Sequence, residues 1–364
     1  MRFLAFFLVF CSHLVTRLFI DRSVQHAALV QLPIFNVFLL AIPESCAMGL
    51  CLFFCLSAYL ITGILLAERN KAGTVSVRRF YIRRILRIWP LYVFGLLLGV
   101  LWAWFNHLPQ WGRLAAYAFF AGNVYCAAYG WSVNPLTPLW SISVEEQFYL
   151  IWPWAMRFFS RRGLWMMSIL FIVIANISLF RLGKEHASEE YTVWGNTFVQ
   201  FEMFATGIML ALLKRPRATS SARAIFLILT GPFLWYLSCV FFRTKVVSDF
   251  GVPPSGPTLA AGYALAALGC AGILSGFCML DSSRLPKWSV DLGKISYGLY
   301  VYHLLVYSLL LDVLGRAHSV AGWCLLIALS LLLTIAAAKL SYVFLESPFL
   351  RLKRRFEILH TRPV

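Results

Sequence analysis

The chain has 364 residues, 60% of them apolar and 13% charged, with a mean hydropathy of +0.76. A soluble domain carries about 25% charged residues, so this composition excludes an ordinary soluble enzyme and makes lipid the solvent. The formal net charge of +17 does not signal nucleic acid, because the basic residues come as short clusters between apolar runs rather than along one surface.

In chain order, the run Phe3 to Ile20 reads as a retained first helix without a small-residue cleavage site. Further spans are expected at Ser45 to Ala67, Ile88 to Phe105, Leu139 to Phe158, Leu164 to Phe180 and Gly195 to Leu213. Ala224 to Phe242, Thr258 to Leu280, Ser296 to Gly315 and Val320 to Leu345 complete the set. Each approaches the roughly twenty apolar residues that an α-helix needs to cross a bilayer. The expected fold is therefore an all-α polytopic bundle of about ten transmembrane helices. Residues 1–350 form one membrane domain and 351–364 a basic cytoplasmic tail.

Lys and Arg should collect on the cytoplasmic side. Alternate loops hold Arg69, Lys71 and the arginines from Arg78 to Arg87, then Arg157, Arg161 and Arg162, then Lys214, Arg215, Arg217 and Arg223. Arg284, Lys287 and Lys294 follow, and then Arg351, Lys353, Arg354 and Arg355. The opposite loops carry fewer, including Arg22, Lys184, Arg243, Lys245 and Arg316. Both termini are accordingly placed in the cytoplasm. A crossing at Leu114 to Trp131 would break this alternation, so that segment is expected to be interfacial or re-entrant. The nine cysteines lack C-x-x-C or metal-ligand spacing and read as small buried hydrophobes, Cys51 and Cys55 included.

Ionisable side chains inside spans are costly and mark function by default. Here they are His13, Arg17, Glu145, Glu146, Glu202, His303 and Lys339. Counting up from Arg2, Arg157 and Lys214 at 1.5 Å per residue puts His13, Glu145, Glu146 and Glu202 all about 16–18 Å deep. His13 alone fits an interhelical hydrogen bond as well as it fits catalysis. Glu145 is accounted for by a helix N-terminus capped at Ser141, whereas Glu146 lies deeper and needs another reason. The loop Arg78 to Tyr92 interleaves five arginines with aromatics. Its arginine forks suit phosphate, but a basic cytoplasmic loop facing anionic lipid explains it equally simply.

Several separated motifs resemble the membrane acyltransferase-3 family, whose members O-acylate polysaccharides, lipopolysaccharides, Nod factors and some antibiotics. Arg2 and His13 stand eleven residues apart, as in its Arg/Lys-x10-His signature. Gly49 to Ile61 is similar to its G-V-D-L-F-F-V-L-S-G-F-L-I stretch, with Cys51 where an acid is frequent and Ala58 where Gly is usual. Phe80 to Tyr92 resembles its arginine-rich motif, with R-x-x-R at Arg84 and Arg87. Pro138 to Tyr149 nearly reproduces P-L-W-S-L-S-V-E-E-Q-F-Y, and Gly293 to His303 and Glu346-Ser347-Pro348 resemble the closing motifs.

The resemblance implies acyl-CoA, commonly acetyl-CoA, as donor, no metal, and His13 at the catalytic centre with Glu146 and then Glu145 as its carboxylates. It implies Arg2, Arg84 and Arg87 for donor binding, and Trp140, Ser143, Tyr149, Glu202, Tyr297 and His303 for the acceptor. The implied acceptor is a cell-envelope carbohydrate or lipid-linked glycan, and the implied setting is a bacterial inner membrane. Acyl transfer to an alcohol needs a base for the hydroxyl proton, which a histidine supplies, and an acyl-histidine route stays open. The rival reading is a transporter or flippase of a lipid-linked glycan, which should show paired half-repeats that this sequence lacks.

Overall fold

The computed structural model describes residues 1–20, 33–108, 110–185, 190–213, 221–245, 254–281, 285–315, 317 and 319–358, with the side chains of 16–20, 33–37 and 190 left aside. Arg22, Lys214, Arg215, Arg217, Arg284 and Arg316 of the charge pattern, and the side chain of Arg17, lie outside the described residues. The described residues are mostly helical, with no strand among them. Seven helices there are long and apolar enough to cross a membrane, and the chain is a multi-pass integral membrane protein. It divides into two compact units, Met1–Ile64 with Phe159–Pro286, and Leu65–Phe158 with Lys287–Val364.

The first unit contains α1 (Arg2–Ile20), α2 (Pro33–Ala47), most of α3 (Gly49–Ala72), α8 (Arg161–Glu185), α9 (Glu190–Trp194), α10 (Thr197–Leu212), α11 (Ser221–Phe242) and α12 (Gly256–Met279). Here α11 packs on α12 and α2, α10 on α8 and α12, and α1 on α2. Lipid tails are as apolar as leucine, so helices in a bilayer associate through close packing and interhelical hydrogen bonds rather than by escape from water. The α11–α12 contact has both. A Cβ on Gly231 would lie 2.7 Å from the Gly269 carbonyl, so only glycine lets the backbones meet. Trp235 Nε1 then donates to the Ala266 carbonyl at 3.0 Å, and the Ser238 hydroxyl to the Gly262 carbonyl at 2.8 Å.

The second unit contains α4 (Val77–Phe105), α5 (Trp111–Ala118), α6 (Gly122–Tyr129), α7 (Trp140–Phe158), α13 (Lys287–Lys294), α14 (Ser296–Leu314), α15 (Val320–Ser341) and α16 (Ser347–Lys353). A π-helical turn, Tyr342–Glu346, joins the last two. α14 packs on α15 and α4, α16 on α4, and α6 on α7. Leu97, Leu101 and Phe105 of α4, and Val313 and Phe344, stay exposed, as expected of side chains that meet lipid.

Three expectations change. The second span, expected to begin at Ser45, is preceded without a loop by α2, which starts at Pro33, and the chain breaks at Met48 before α3. The arginine-rich stretch Arg78 to Tyr92 is not a loop at all but the first half of α4. Arginine is a good helix former, and Gly73, at φ 73°, ends α3 in the left-handed conformation that tight helix exits require. Ser141 does not cap α7: a 3₁₀ turn, Thr137–Leu139, leads into that helix, and the Ser141 hydroxyl donates to the Pro138 carbonyl at 3.0 Å. The segment Leu114 to Trp131 forms α5 and α6, of eight residues each. Helices of that length rise only about 12 Å, too little to cross.

Candidate active site

The helical start of α4 sorts its five arginines by face. Arg78 and Arg79 are exposed. Arg83 points into a buried ion pair with Glu68 at 2.7 Å and donates to the Phe356 carbonyl at 3.2 Å. Arg84 turns elsewhere, its guanidinium lying 5.4 Å from the Phe80 ring centre and 5.3 Å from that of Tyr149. A guanidinium over aromatic faces keeps its edge available for hydrogen bonding. Its Nε is buried and has no hydrogen-bond partner. Arg87, three residues on, shares this side of the helix and lies within electrostatic reach of Arg84 and of Glu346.

The other helices of the unit bring acids and phenols to this arginine pair. Glu146 on α7 is within electrostatic reach of Arg84, is hydrogen-bonded by Trp89, and has a buried Oε1 without a partner. Its neighbour Glu145 accepts from the Tyr149 hydroxyl at 3.2 Å and is within electrostatic reach of Glu146 and Tyr297. Tyr297 on α14 donates to the Ile88 carbonyl at 3.1 Å and is within electrostatic reach of Glu146 and Glu346. Glu346 Oε1 is buried without a partner as well, so two unpartnered carboxylate oxygens and one unpartnered guanidinium nitrogen occur in a single neighbourhood. Buried polar atoms are rarely left this way, because each costs about 1–3 kcal/mol.

Further along α7 and α14 the polar groups satisfy one another. Ser141 and Tyr300 hydroxyls lie 2.7 Å apart, and Tyr300 donates to the Pro138 carbonyl at 3.0 Å. His303 is fully buried with Nδ1 2.7 Å from the Tyr300 carbonyl. A carbonyl only accepts, so Nδ1 carries the hydrogen in this contact. Ser143 is buried and accepts from the Gly122 backbone N–H at 3.3 Å. Trp140 is buried with its ring 5.5 Å from that of Trp131. Ser143 and Trp140 are therefore engaged within the unit.

Arg2, His13 and Glu202 belong to the first unit. Arg2 and His13 are half-buried on α1, whereas Glu202 on α10 is buried with no partner for Oε2. Cys51 of α3, fully buried, is within electrostatic reach of Glu202, so a carboxylate is present near this position although α3 itself carries a thiol there. Glu44 and Lys245 form an ion pair at 3.5 Å, with the ammonium 5.0 Å from the Trp194 ring centre. Among the described residues no group of three His, Cys, Asp or Glu side chains could hold a metal ion.

Sequence reasoning did not assign Glu346, although it is an acid within an apolar segment. The signal was present in the Glu346-Ser347-Pro348 motif, but the residue falls one position beyond the expected span Val320 to Leu345 and so outside the set of ionisable side chains within spans.

A family model described as an acyltransferase domain matches residues 1–339. The chain is 29% identical over 329 residues to the Bacillus subtilis protein named "Putative peptidoglycan O-acetyltransferase YrhL", covering 82% of this chain and 50% of that protein. It is 36% identical over 117 residues to the peptidoglycan O-acetyltransferase OatA of Listeria monocytogenes, covering 29% of this chain and 19% of that protein. The chain thus spans half or less of the length of these curated relatives. No solved structure matches it.

Proposed function

We propose that this chain, which belongs to the acyltransferase-3 family, is a membrane O-acetyltransferase that moves an acetyl group from acetyl-CoA to a hydroxyl of a cell-envelope carbohydrate or lipid-linked glycan in a bacterial inner membrane. The observation that carries the donor half is the half-buried Arg84, its guanidinium over Phe80 and Tyr149, its buried Nε unpartnered and Arg87 within electrostatic reach. Such a pair suits phosphate oxygens, which accept two parallel hydrogen bonds from each fork. The acceptor half rests on the names of the two relatives, one a "Putative peptidoglycan O-acetyltransferase" and the other a "Peptidoglycan O-acetyltransferase". The transport of a lipid-linked glycan gains no support from these matches.

In this reading acetyl-CoA supplies an activated acyl group as a thioester. His13 removes the proton of the acceptor hydroxyl, a task suited to a side chain that titrates near neutrality. Glu146, followed by Glu145, supplies the carboxylates that the reaction draws on in the unit that carries Arg84. Within the unit that carries Arg84, Tyr297 and His303 offer hydrogen bonds to sugar hydroxyls, with Trp140, Ser143 and Tyr149 shaping the helix that carries Glu146. The test is transfer of labelled acetyl from acetyl-CoA to envelope glycan by protein in lipid nanodiscs, read as alkali-labile label. His13→Ala should lower the rate about 100-fold or more. No transfer by the unaltered protein, or full transfer by correctly inserted His13→Ala, would overturn the reading.

A further inference from the structure

Glu346 sits in the π-helical turn between α15 and α16, a backbone form that is rare and concentrates at functional sites. It is 6% exposed, and its Oε1 has no hydrogen-bond partner. Gly298 of α14 lies against it, since a Cβ built there would stand at ordinary contact distance, 3.5 Å, from that oxygen. Arg87, Tyr297 and Tyr302 are within electrostatic reach of the carboxylate. The unfilled groups around it are therefore of two kinds: a cationic N–H donor at Arg84, and carboxylate acceptors at Glu146 and Glu346.

A simple anion would satisfy the arginine and be repelled by the acids, and a simple cation would do the reverse. A ligand that carries phosphate oxygens and, a few bonds away, N–H or O–H donors satisfies both. We propose that Glu346 is a donor-binding residue whose carboxylate accepts a hydrogen bond from the hydroxyl or an amide N–H of the pantetheine arm of acyl-CoA, while Arg84 and Arg87 hold the phosphates. The inference rests on the donor reading given above. It adds a site residue and divides the donor between two kinds of contact, phosphate to α4 and arm to the π turn.

The experiment compares the affinity of CoA with that of adenosine 3′,5′-bisphosphate, which has phosphates but no arm, for the purified full chain in nanodiscs. Glu346→Leu, which keeps the bulk and removes the acceptor, should weaken CoA roughly tenfold or more, as loss of a hydrogen bond to a charged group does. It should leave the bisphosphate within about twofold. Glu346→Gln, which keeps one acceptor oxygen, should recover part of the loss, and serves alone if the leucine variant does not fold. Unchanged CoA affinity, or equal weakening of both ligands, overturns the inference, the second because Glu346 would then act through Arg87 or the fold. Phosphatidylethanolamine carries the same pairing of phosphate and N–H, so competition by this lipid that disappears in Glu346→Leu would assign the site to a headgroup and also overturn it. If the unaltered protein binds no CoA, the donor reading falls together with this inference, an outcome distinct from CoA binding that ignores Glu346.

Discussion

The Ser132 hydroxyl donates to the Gln110 side chain at 2.9 Å, which joins the two ends of the α5–α6 segment. Arg113 reinforces the closure by donating to the Gly130 carbonyl at 3.1 Å. A segment that crossed the bilayer would hold its ends about 30 Å apart. Single cysteines at Asn106 and Val133, both exposed, should therefore react with an impermeant maleimide from the same side of the membrane. Labelling from opposite sides would contradict this arrangement.

Arg83 and Glu68 form an ion pair with both side chains at 10% exposure or less. Such a pair is weak evidence of net stabilisation, yet removal of one partner strands the other charge and costs about 3–5 kcal/mol. Glu68→Gln should lower the thermal midpoint in detergent clearly more than the double change Glu68→Gln with Arg83→Met. The double change leaves no stranded charge. Equal losses in the two variants would show that the pair acts through something other than charge.

The apolar runs read from sequence coincide with helices because lipid imposes one requirement on every span, a long apolar helix with its backbone satisfied internally. The break at Met48 was not legible, although Gly49 follows it, because the apolar run from Cys46 continues past that glycine into α3 without a charge. The helical start of α4 was hidden by its charge: five arginines look like a loop until the i, i+3 spacing of Arg84 and Arg87 is placed on a helix and Arg83 is paired with Glu68 across the turn at Gly73. Motif residues such as Glu146 and Tyr297 were legible as candidates. That Tyr297 reaches the Ile88 carbonyl, 209 residues away in sequence, is a tertiary fact that no local pattern encodes.

Tyr300 gives a test of the hydrogen-bonded group on α7 and α14. Tyr300→Phe removes its bonds to Ser141 and to the Pro138 carbonyl without changing the packed ring. Interhelical hydrogen bonds in membranes are worth about 1 kcal/mol, so a loss of that order is expected in a detergent unfolding titration. Ser141→Ala should then add less in the Tyr300→Phe background than alone, because the two hydroxyls share one contact. Full additivity would mean that Ser141 acts through Pro138 only.

Arg84 offers the sharpest separation between charge and shape. If α4 merely sets topology, lysine serves as well as arginine, since both are cationic and lie near the same membrane surface. The stacking on Phe80 and Tyr149 requires a planar group, and the unpartnered Nε is a donor that lysine lacks in that direction. Arg84→Lys should therefore insert normally while raising the apparent KM for acetyl-CoA about tenfold, the loss of roughly one charge-assisted hydrogen bond. The change in kcat should be small, because phosphates far from the thioester are held equally in ground and transition states. Arg83→Lys is the control: it sits one residue away and faces Glu68, so it should alter stability but not KM. An unchanged KM in Arg84→Lys, or an equal rise in Arg83→Lys, would return the whole arginine run to the role of a membrane anchor.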